Sequence, residues 1–343
     1  MRRAASVAGL ALVSGVLAAL GGVGGFQPPL VDAAALDSGT YVIGVDGTGG
    51  RRIARASYPG FSWSPDASQI ALLVDEDLNS DVFTVAVADG RARRVLRAPH
   101  LNEYDVAWSP DGTRIAFAAS NSREATFRAR IWVVNADGTA PKRLSPLEDP
   151  EERSLMWSPD SLRLVFVRSR EQTSVMTMAA TGGSRKQLTR TWGSERCPTW
   201  SPDGRQIAFL RDEIPEGVGG NALWVMTSEG GRRRMLLPAS KTPQFAQCLS
   251  WAPDSRHLAA QWNGWIWTMS PDGSDKRRLT IGRNPTWSPN GRQIAFVRYH
   301  NGRQSELYVI DSDGAHETRL THTPTSEDWP AWSPDGKLIA FVR

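Results

Sequence analysis

The chain is poor in the residue types that build small reactive sites. Only two cysteines, five histidines and five tyrosines occur among its 343 residues. No pair of histidines has the His-x-His or His-x-x-x-His spacing typical of a metal site. The Gly-x-Ser-x-Gly nucleophile elbow of serine hydrolases is also missing. We therefore expect no enzyme activity, no metal ion and no cofactor.

Net charge is low as well, at a formal value of +4. A balance this even does not indicate a polyanionic partner, so nucleic acid is not expected to bind. We also expect the protein to be a monomer.

One long uncharged run is present, and it lies at the N-terminus. Arg2-Arg3 is followed by Ala4 to Val31 without a charge, and a small-residue cleavage site is available at Ala33-Ala34-Ala35. Residues 1–36 are predicted to be a signal peptide or an N-terminal membrane anchor. Residues 37–343 would then fold in the periplasm or cell envelope or be secreted, or would stay outside the membrane anchored by residues 4–31.

A short motif recurs along most of the chain. It reads Trp-Ser-Pro-Asp, with the variants Trp-Ala-Pro-Asp and Trp-Ser-Pro-Asn. Its seven copies begin at Trp63, Trp108, Trp157, Trp200, Trp251, Trp287 and Trp332. They recur every 36 to 51 residues, which is the length of a four-stranded propeller blade. Pro and Asp favour a turn inside each copy, so the motif joins two antiparallel strands.

Each unit then continues with the same three segments. An apolar run such as Gln293-Ile-Ala-Phe-Val predicts a strand buried on both faces. A third strand such as Leu307-Tyr-Val-Ile follows, and a basic fourth strand such as Lys276-Arg-Arg-Leu ends the unit. Positive charge on this outermost strand opposes edge-to-edge pairing between molecules.

The two ends of the chain complete each other. Tyr41-Val-Ile-Gly and Arg51-Arg-Ile look like a third and a fourth strand without their first two, whereas the last unit stops after the second strand near Leu338. We predict an all-β fold: a seven-bladed β-propeller of four-stranded antiparallel blades, with the last blade closed by the N- and C-terminal strands.

These motifs resemble the PD40 or TolB-like WD40 repeat, and the resemblance covers residues 40–343. Members named TolB carry an extra N-terminal α/β domain and a six-bladed propeller, whereas only about 36 residues precede the first strand here. The repeat is also similar to propellers that cap an α/β-hydrolase domain, which we do not expect here. Some similar propellers are polysaccharide lyases with histidine-bound metal, so His300 and His322 in neighbouring blades keep a carbohydrate-active alternative open.

The face formed by the segments before each first strand and between each second and third strand is here called the mouth face. It varies freely on a rigid ring, so we expect binding residues there. The candidates mix both signs of charge with aromatic rings: Glu103, Tyr104, Asp105, Glu195, Arg196, Arg283, Asp328 and Trp329.

This composition suits a protein partner or a glycan. The sequence favours an exported, non-enzymatic scaffold that binds an unidentified envelope or extracellular protein. The alternative is a lyase-like or glycan-binding propeller. Trp329 is the sharpest candidate, because no other copy of the repeat has an aromatic residue there, although it could instead plug the channel.

Cys197 and Cys248 each lie three residues before a motif tryptophan, in neighbouring blades. Equivalent positions on adjacent inner strands make a disulfide between them a candidate in an oxidising compartment. The alternative is a pair of buried free thiols.

Overall fold

The fold consists of seven four-stranded antiparallel sheets arranged in a ring. The computed structural model describes residues 38–55, 60–76, 79–97, 100–121, 128–148, 150–169, 172–190, 193–212, 220–239, 249–300 and 304–343. Within these ranges the regular structure is entirely β-strand. The predicted all-β, seven-bladed propeller is therefore confirmed.

The N-terminal part of the chain supplies three complete blades, preceded by two strands that pair with the C-terminal end of the chain. The two strands are β1 (Thr40–Gly44) and β2 (Arg51–Ala54). Blade I contains β3 (Phe61–Trp63), β4 (Gln69–Glu76), β5 (Asn79–Ala86) and β6 (Ala92–Arg94). Blade II contains β7 (Leu101–Trp108), β8 (Arg114–Asn121), β9 (Arg130–Asn135) and β10 (Lys142–Arg143). Blade III contains β11 (Glu151–Trp157), β12 (Arg163–Ser169), β13 (Thr173–Ala179) and β14 (Lys186–Gln187).

The second half supplies three more blades and the remaining two strands. Blade IV contains β15 (Glu195–Trp200), β16 (Gln206–Asp212), β17 (Asn221–Thr227) and β18 (Arg234–Leu237). Blade V contains β19 (Ser250–Trp251), β20 (Leu258–Trp262), β21 (Trp265–Met269) and β22 (Arg277–Ile281). Blade VI contains β23 (Arg283–Trp287), β24 (Gln293–His300), β25 (Gln304–Asp311) and β26 (Thr318–Arg319). The last strands are β27 (Asp328–Trp332) and β28 (Leu338–Val342).

Blade VII is built from both ends of the chain, in the order β2-β1-β28-β27. Thr40 to Gly44 pair in register with Val342 to Leu338, and Tyr41 stacks on Phe341 with ring centroids 5.6 Å apart. The predicted closure of the ring is confirmed. Because β28 is the partner of both β1 and β27, it holds the two ends together.

The second strand of each blade is the core of the fold. Its repeated phenylalanine is among the largest fully buried side chains in five blades, at Phe117, Phe166, Phe209, Phe296 and Phe341. A side chain of this size stabilises the folded state by about 1.5–3 kcal/mol when it leaves water. The near-unbroken apolar runs are thus explained by burial on both faces.

The motif tryptophans join neighbouring blades. In four of them the indole nitrogen donates to the backbone carbonyl just before the motif tryptophan of the preceding blade: Trp63 to Ala331, Trp157 to Ala107, Trp251 to Thr199 and Trp332 to Thr286, at 3.0 to 3.4 Å. The Trp63 bond links blade I to blade VII, so the ring is closed by side chains as well as by strand pairing.

The turns that follow these tryptophans form the opposite face, here called the turn face. Three copies carry Ala67, Ser161 or Ser255 where the others have glycine, and all three adopt a φ of 59°. This left-handed backbone is costly for a residue with a Cβ. The two serines offset part of that cost, since each hydroxyl accepts a hydrogen bond from a backbone N–H of the neighbouring blade, at 3.0 Å.

The predicted export segment, residues 1–36, lies outside the described residues. Within the described part of the chain, no helix is long and apolar enough to cross a membrane.

Candidate functional site

The inner strands of the propeller are bulged where they reach the mouth face. The register with the second strand shifts just before the motif tryptophan in blades II, III, IV, VI and VII. Ser154, Cys197, Asn284 and Trp329 occupy the equivalent bulge position and have φ between 52° and 58°. A bulge re-aims a side chain and interrupts pairing, so this position is open to variation from blade to blade.

Three of the predicted site residues are brought together across blades VI and VII. Arg283 Nη2 lies 3.0 Å from Asp328 Oδ2, and the other oxygen of Asp328 accepts hydrogen bonds from the Asn284 amide and from the Trp329 backbone N–H. Arg283 also lies over the ring of Tyr299, 4.6 Å from its centroid. The Asp328 carboxylate therefore fixes both the guanidinium and the backbone that carries Trp329.

Exposed apolar groups occur within this cluster and beside it in the chain. Tyr299 is 56% exposed, Ile281 is 51% exposed and Trp329 is half-buried. We call Ile281, Arg283, Tyr299, Asp328 and Trp329 the mouth patch. It combines aromatic rings, an aliphatic side chain and an ordered Arg–Asp pair, which is the composition of a binding hot spot.

The remaining surface candidates lie in other blades, and no contact in the described structure joins them to the mouth patch. Tyr104 is 37% exposed and its hydroxyl lies 3.1 Å from Ser120 Oγ. Arg196 is exposed and forms an ion pair with Asp212. Asp105 accepts a hydrogen bond from the Ser154 backbone, and burial raises the pKa of its carboxyl.

Glu103 and Glu195 are not surface groups, because each is only 1% exposed. They belong to a row that the repeat places five residues before the motif tryptophan, with Glu152 and Glu327 as the other members, and all four are buried. Their carboxyl groups lie at the junctions between blades and cannot touch a partner directly.

Glu327 shows how such a carboxylate is held at the junction of β25 and β27. Arg343 lies 3.0 Å from one of its oxygens, and the hydroxyls of Thr321 and Thr323 donate to it. The Thr321 oxygen also lies 2.7 Å from Glu306, and because a hydroxyl has one proton, it donates to one of the two buried carboxyl groups at a time. Arg319 pairs with Glu306 at 2.6 Å and completes the network.

Glu103, at the junction of β5 and β7, lacks these partners. Neither of its carboxyl oxygens has a hydrogen-bond partner among the described residues. Ala119 stands opposite it in the register, where Arg168 and Arg211 stand opposite Glu152 and Glu195. Burial, with a further contribution from the Asp81 carboxylate, raises the pKa of Glu103 to about 8. Glu103 is therefore neutral at pH 7.

Sequence reasoning missed Tyr299 and Ile281, and it placed Glu103 and Glu195 at the surface. The available signal for the glutamates was their recurrence five residues before the tryptophan, combined with an arginine two residues after the phenylalanine of the second strand in three of the four blades. Tyr299 gave no such signal, because it lies in a segment where the repeat varies.

The sequence analysis also made predictions about a disulfide and about a metal ion. Cys197 lies on β15, but Cys248 is outside the described residues, so the bridge stays a prediction. No group of three or more His, Cys, Asp or Glu side chains in the described ranges is arranged to hold a metal ion.

Comparison with known proteins agrees with the family resemblance of the repeat. The family model described as the TolB beta propeller domain matches residues 38–255. The Tol-Pal system protein TolB of Bordetella pertussis is 28% identical over 235 residues, which cover 67% of this chain and 52% of that protein. An uncharacterised protein of Agrobacterium fabrum is 27% identical over 178 residues, covering 48% of this chain and 59% of its own length. The chain thus spans about half the length of the curated relatives it matches.

Solved structures show the same architecture. TolB from Acinetobacter baumannii superimposes with a TM-score of 0.54 at 20% identity, covering 71% of this chain and 63% of that one. An oligogalacturonate lyase from Vibrio parahaemolyticus gives a TM-score of 0.65 at 12% identity, covering 89% and 96%. Identities this low show the fold alone. The family match, in contrast, covers well over half of this chain, which therefore belongs to the TolB beta propeller domain family.

Proposed function

We propose that this protein is an exported, non-enzymatic scaffold that binds an envelope or extracellular protein through the mouth patch. The observation that carries the proposal is the ordered Arg283–Asp328 pair, with the exposed ring of Tyr299 against Arg283 and exposed Ile281 two residues before Arg283 in the chain. An aromatic and aliphatic surface around a fixed ion pair offers both the apolar contact and the directional bonds that a protein interface uses.

Membership of the TolB beta propeller family supports this choice. So does the apolar N-terminal segment after Arg2-Arg3, which would deliver residues 37–343 outside the cytoplasm. The enzymatic alternative has less support, because the likeness to oligogalacturonate lyases is one of fold alone.

The mouth patch can be disabled without disturbing the ring. We would replace Tyr299 with Ser and Trp329 with Asn, since Asn284 already occupies the bulge position in blade VI with a φ of 55°. The matched control is Leu162→Ser on the turn face, where an apolar side chain is 65% exposed. Each protein would be immobilised and incubated with envelope extract, and captured proteins would be identified and then purified for direct affinity measurement.

We expect a purified partner to bind the wild-type protein and the Leu162→Ser control equally, and to bind the double variant at least about tenfold more weakly. Equal binding by the double variant would place the interface elsewhere. Release of unsaturated sugars from a polyuronate by the wild-type protein would overturn the non-enzymatic assignment.

A further inference from the structure

The outer edge of blade V differs from the other outer edges in length and in composition. Its fourth strand, β22, has five residues, whereas the fourth strands of the other blades have two to four. Lys276 immediately precedes β22, which begins with Arg277 and Arg278, and all three side chains are exposed. Ile281, at the other end of the strand, is 51% exposed. Cations and an aliphatic side chain therefore share one exposed strand.

A tryptophan pair lies beside this strand. Trp262 and Trp265 flank the two-residue turn between β20 and β21 and face each other in the register. Trp265 is half-buried, and it is also opposite Ile281 in the register. The guanidinium carbon of Arg278 lies 4.2 Å from the centroid of the Trp265 ring. We call this surface the blade V rim, and it consists of Trp265, Lys276, Arg277, Arg278 and Ile281.

The other complete blades carry no large apolar residue at the position of Trp265. This position pairs with the residue that follows the motif tryptophan by eleven places. In blades I, II, III, IV and VI it is occupied by Asp81, Arg130, Ser174, Ala222 and Glu306. Four of these five residues are buried. A partly exposed tryptophan at this position is therefore not a requirement of the blade.

The three cations of the blade V rim are not used in ion pairs inside the ring. Carboxylates hold the outer-strand arginines of blades I, III and VI, in the pairs Arg94–Asp81, Arg185–Glu152 and Arg319–Glu306. In the part of the chain that the structure describes, no carboxylate lies within ion-pair distance of Lys276, Arg277 or Arg278. Their charges therefore remain available to a partner.

The basic surface extends to the neighbouring blade IV. Arg234 donates to the backbone carbonyl of Asp272, in the turn that leads into β22, so the two outer strands adjoin. Residues 232–234 are all arginine, and all are exposed. Six cations thus stand against the carboxylates of Asp272, Asp275 and Glu229, and Glu229 is already paired with two cations of blade III. The surface is positive, which favours an anionic partner.

We infer that the blade V rim binds the surface of an anionic phospholipid bilayer. Tryptophan is enriched at the membrane–water interface, and lysine and arginine are attracted to anionic lipids. The outer strands form the convex circumference of the ring, so a flat surface can reach two adjacent blades while a small ligand finds no enclosure. Trp265 and Ile281 would enter the headgroup region, and the cations would contact phosphates. This contact does not depend on the function of the mouth patch, with which it shares only Ile281.

Vesicle flotation with residues 37–343 tests the inference. This part of the chain contains all 28 strands of the described structure, including both sides of the ring closure, so it can fold without residues 1–36. Leaving out the apolar run of residues 4–31 removes a second segment that could bind lipid. The vesicles contain phosphatidylcholine alone or mixed with an equal amount of phosphatidylglycerol.

Two double variants remove the same charge from different blades. The test variant is Arg277→Gln/Arg278→Gln in blade V. The matched control, Arg91→Gln/Arg143→Gln, removes two exposed cations from the outer edges of blades I and II. A third variant, Trp265→Ser, removes the aromatic ring, and the fold should tolerate it because Ser174 occupies the same position in blade III.

We expect the wild-type protein to bind the anionic vesicles and not the neutral ones. The test variant should partition about 25-fold more weakly, since each cation near an anionic bilayer contributes about fivefold. The control should stay close to the wild type, and Trp265→Ser should bind more weakly than either. Raising NaCl from about 0.1 to about 1 M shortens the Debye length from about 10 to about 3 Å and should abolish the binding.

No binding of the wild-type protein to the anionic vesicles would overturn the inference, as would an equal loss in the test variant and the control. Capture on immobilised polyglutamate without any binding to the vesicles would overturn it in favour of an acidic protein partner. Partner binding by the mouth patch should be the same in both double variants, so failure of the lipid contact leaves the proposed function untouched.

Discussion

The β5–β7 junction and the β25–β27 junction share one backbone arrangement but surround a buried carboxyl group with different partners. Glu327 is paired with Arg343 and receives hydrogen bonds from two threonine hydroxyls. Glu103 faces Ala119 instead, and Leu96 stands where the other junction has Thr321. Asp81 and Arg94 correspond to Glu306 and Arg319, and they form the same type of ion pair at 3.5 Å.

The difference shows that four blades share a buried glutamate position without sharing the groups that surround it. Burial raises the pKa of Glu327, and the hydroxyls of Thr323 and Thr321 and the guanidinium of Arg343 oppose that rise. Where two of them are replaced by apolar side chains, burial favours the protonated form instead. Burial thus raises the pKa of both carboxyl groups, but the two threonines and the arginine that oppose the rise at Glu327 are missing at Glu103.

The largest effect is expected when the paired junction is broken. Arg343→Ala leaves the Glu327 carboxylate buried beside Glu306 without its guanidinium, which should lower the free energy of unfolding by about 3–5 kcal/mol. Urea denaturation at pH 7 measures it. Lys337→Ala removes a cation whose side chain is 80% exposed and should change stability by less than about 0.5 kcal/mol. A similar loss in both variants would contradict the role of the buried pair.

The pH response of the other junction should be visible in the wild-type protein. Folding raises the pKa of Glu103 from 4.5 to about 8, so the native state holds a proton that the unfolded chain releases. The contribution of this proton to stability is fully present below pH 4.5 and is lost as the pH rises to about 8, with a slope of at most about 1.4 kcal/mol per pH unit. Asp81 and Arg94 are the charged neighbours that also act on this group.

Comparing urea midpoints of Glu103→Gln and wild type across pH 5 to 9 isolates the effect, because the amide has the same shape but does not titrate. The difference between the two proteins should grow in favour of the glutamine variant as the pH rises. Parallel profiles would mean that Glu103 is ionised throughout this range.

The unpaired junction can also be converted towards the paired one. Ala119→Arg places a guanidinium opposite Glu103, as Arg168 and Arg211 are placed opposite Glu152 and Glu195. The pKa of Glu103 should fall, the pH dependence should flatten, and stability at pH 8 should increase by about 1 kcal/mol relative to wild type. Retention of the full wild-type slope would show that the register pairing does not bring the two side chains together.

Leu96→Thr should have the smallest effect. It introduces a hydroxyl at the position in blade I that corresponds to Thr321 in blade VI. The hydrogen bond should raise the free energy of unfolding at pH 8 by about 0.5–1.5 kcal/mol, and the lost apolar contacts of the leucine should offset part of this gain. Thermal denaturation at pH 6 and pH 8 separates these contributions, because the hydroxyl helps only an ionised Glu103. A gain of equal size at both pH values would point to packing instead.

The fold could be predicted from the sequence because its evidence is repeated seven times. The motif tryptophans, the apolar second strands and the orphan strand at Tyr41 each fixed one part of the ring. The site was harder, because it depends on which residues the repeat leaves free. Glu103 and Trp329 both precede a motif tryptophan by a few residues, yet one is buried at a junction and the other lies in a bulge on the mouth face. Only the register around each bulge distinguishes them.

Binding at the mouth patch is tested most directly by photo-cross-linking in the intact envelope. A benzophenone amino acid would replace Tyr299 in one protein and Leu162 in another, since both positions are well exposed but lie on opposite faces. We predict one protein adduct from position 299 that is competed by unmodified wild-type chain, and none from position 162. An adduct from position 162 alone, or no adduct from either, would contradict a partner site on the mouth face.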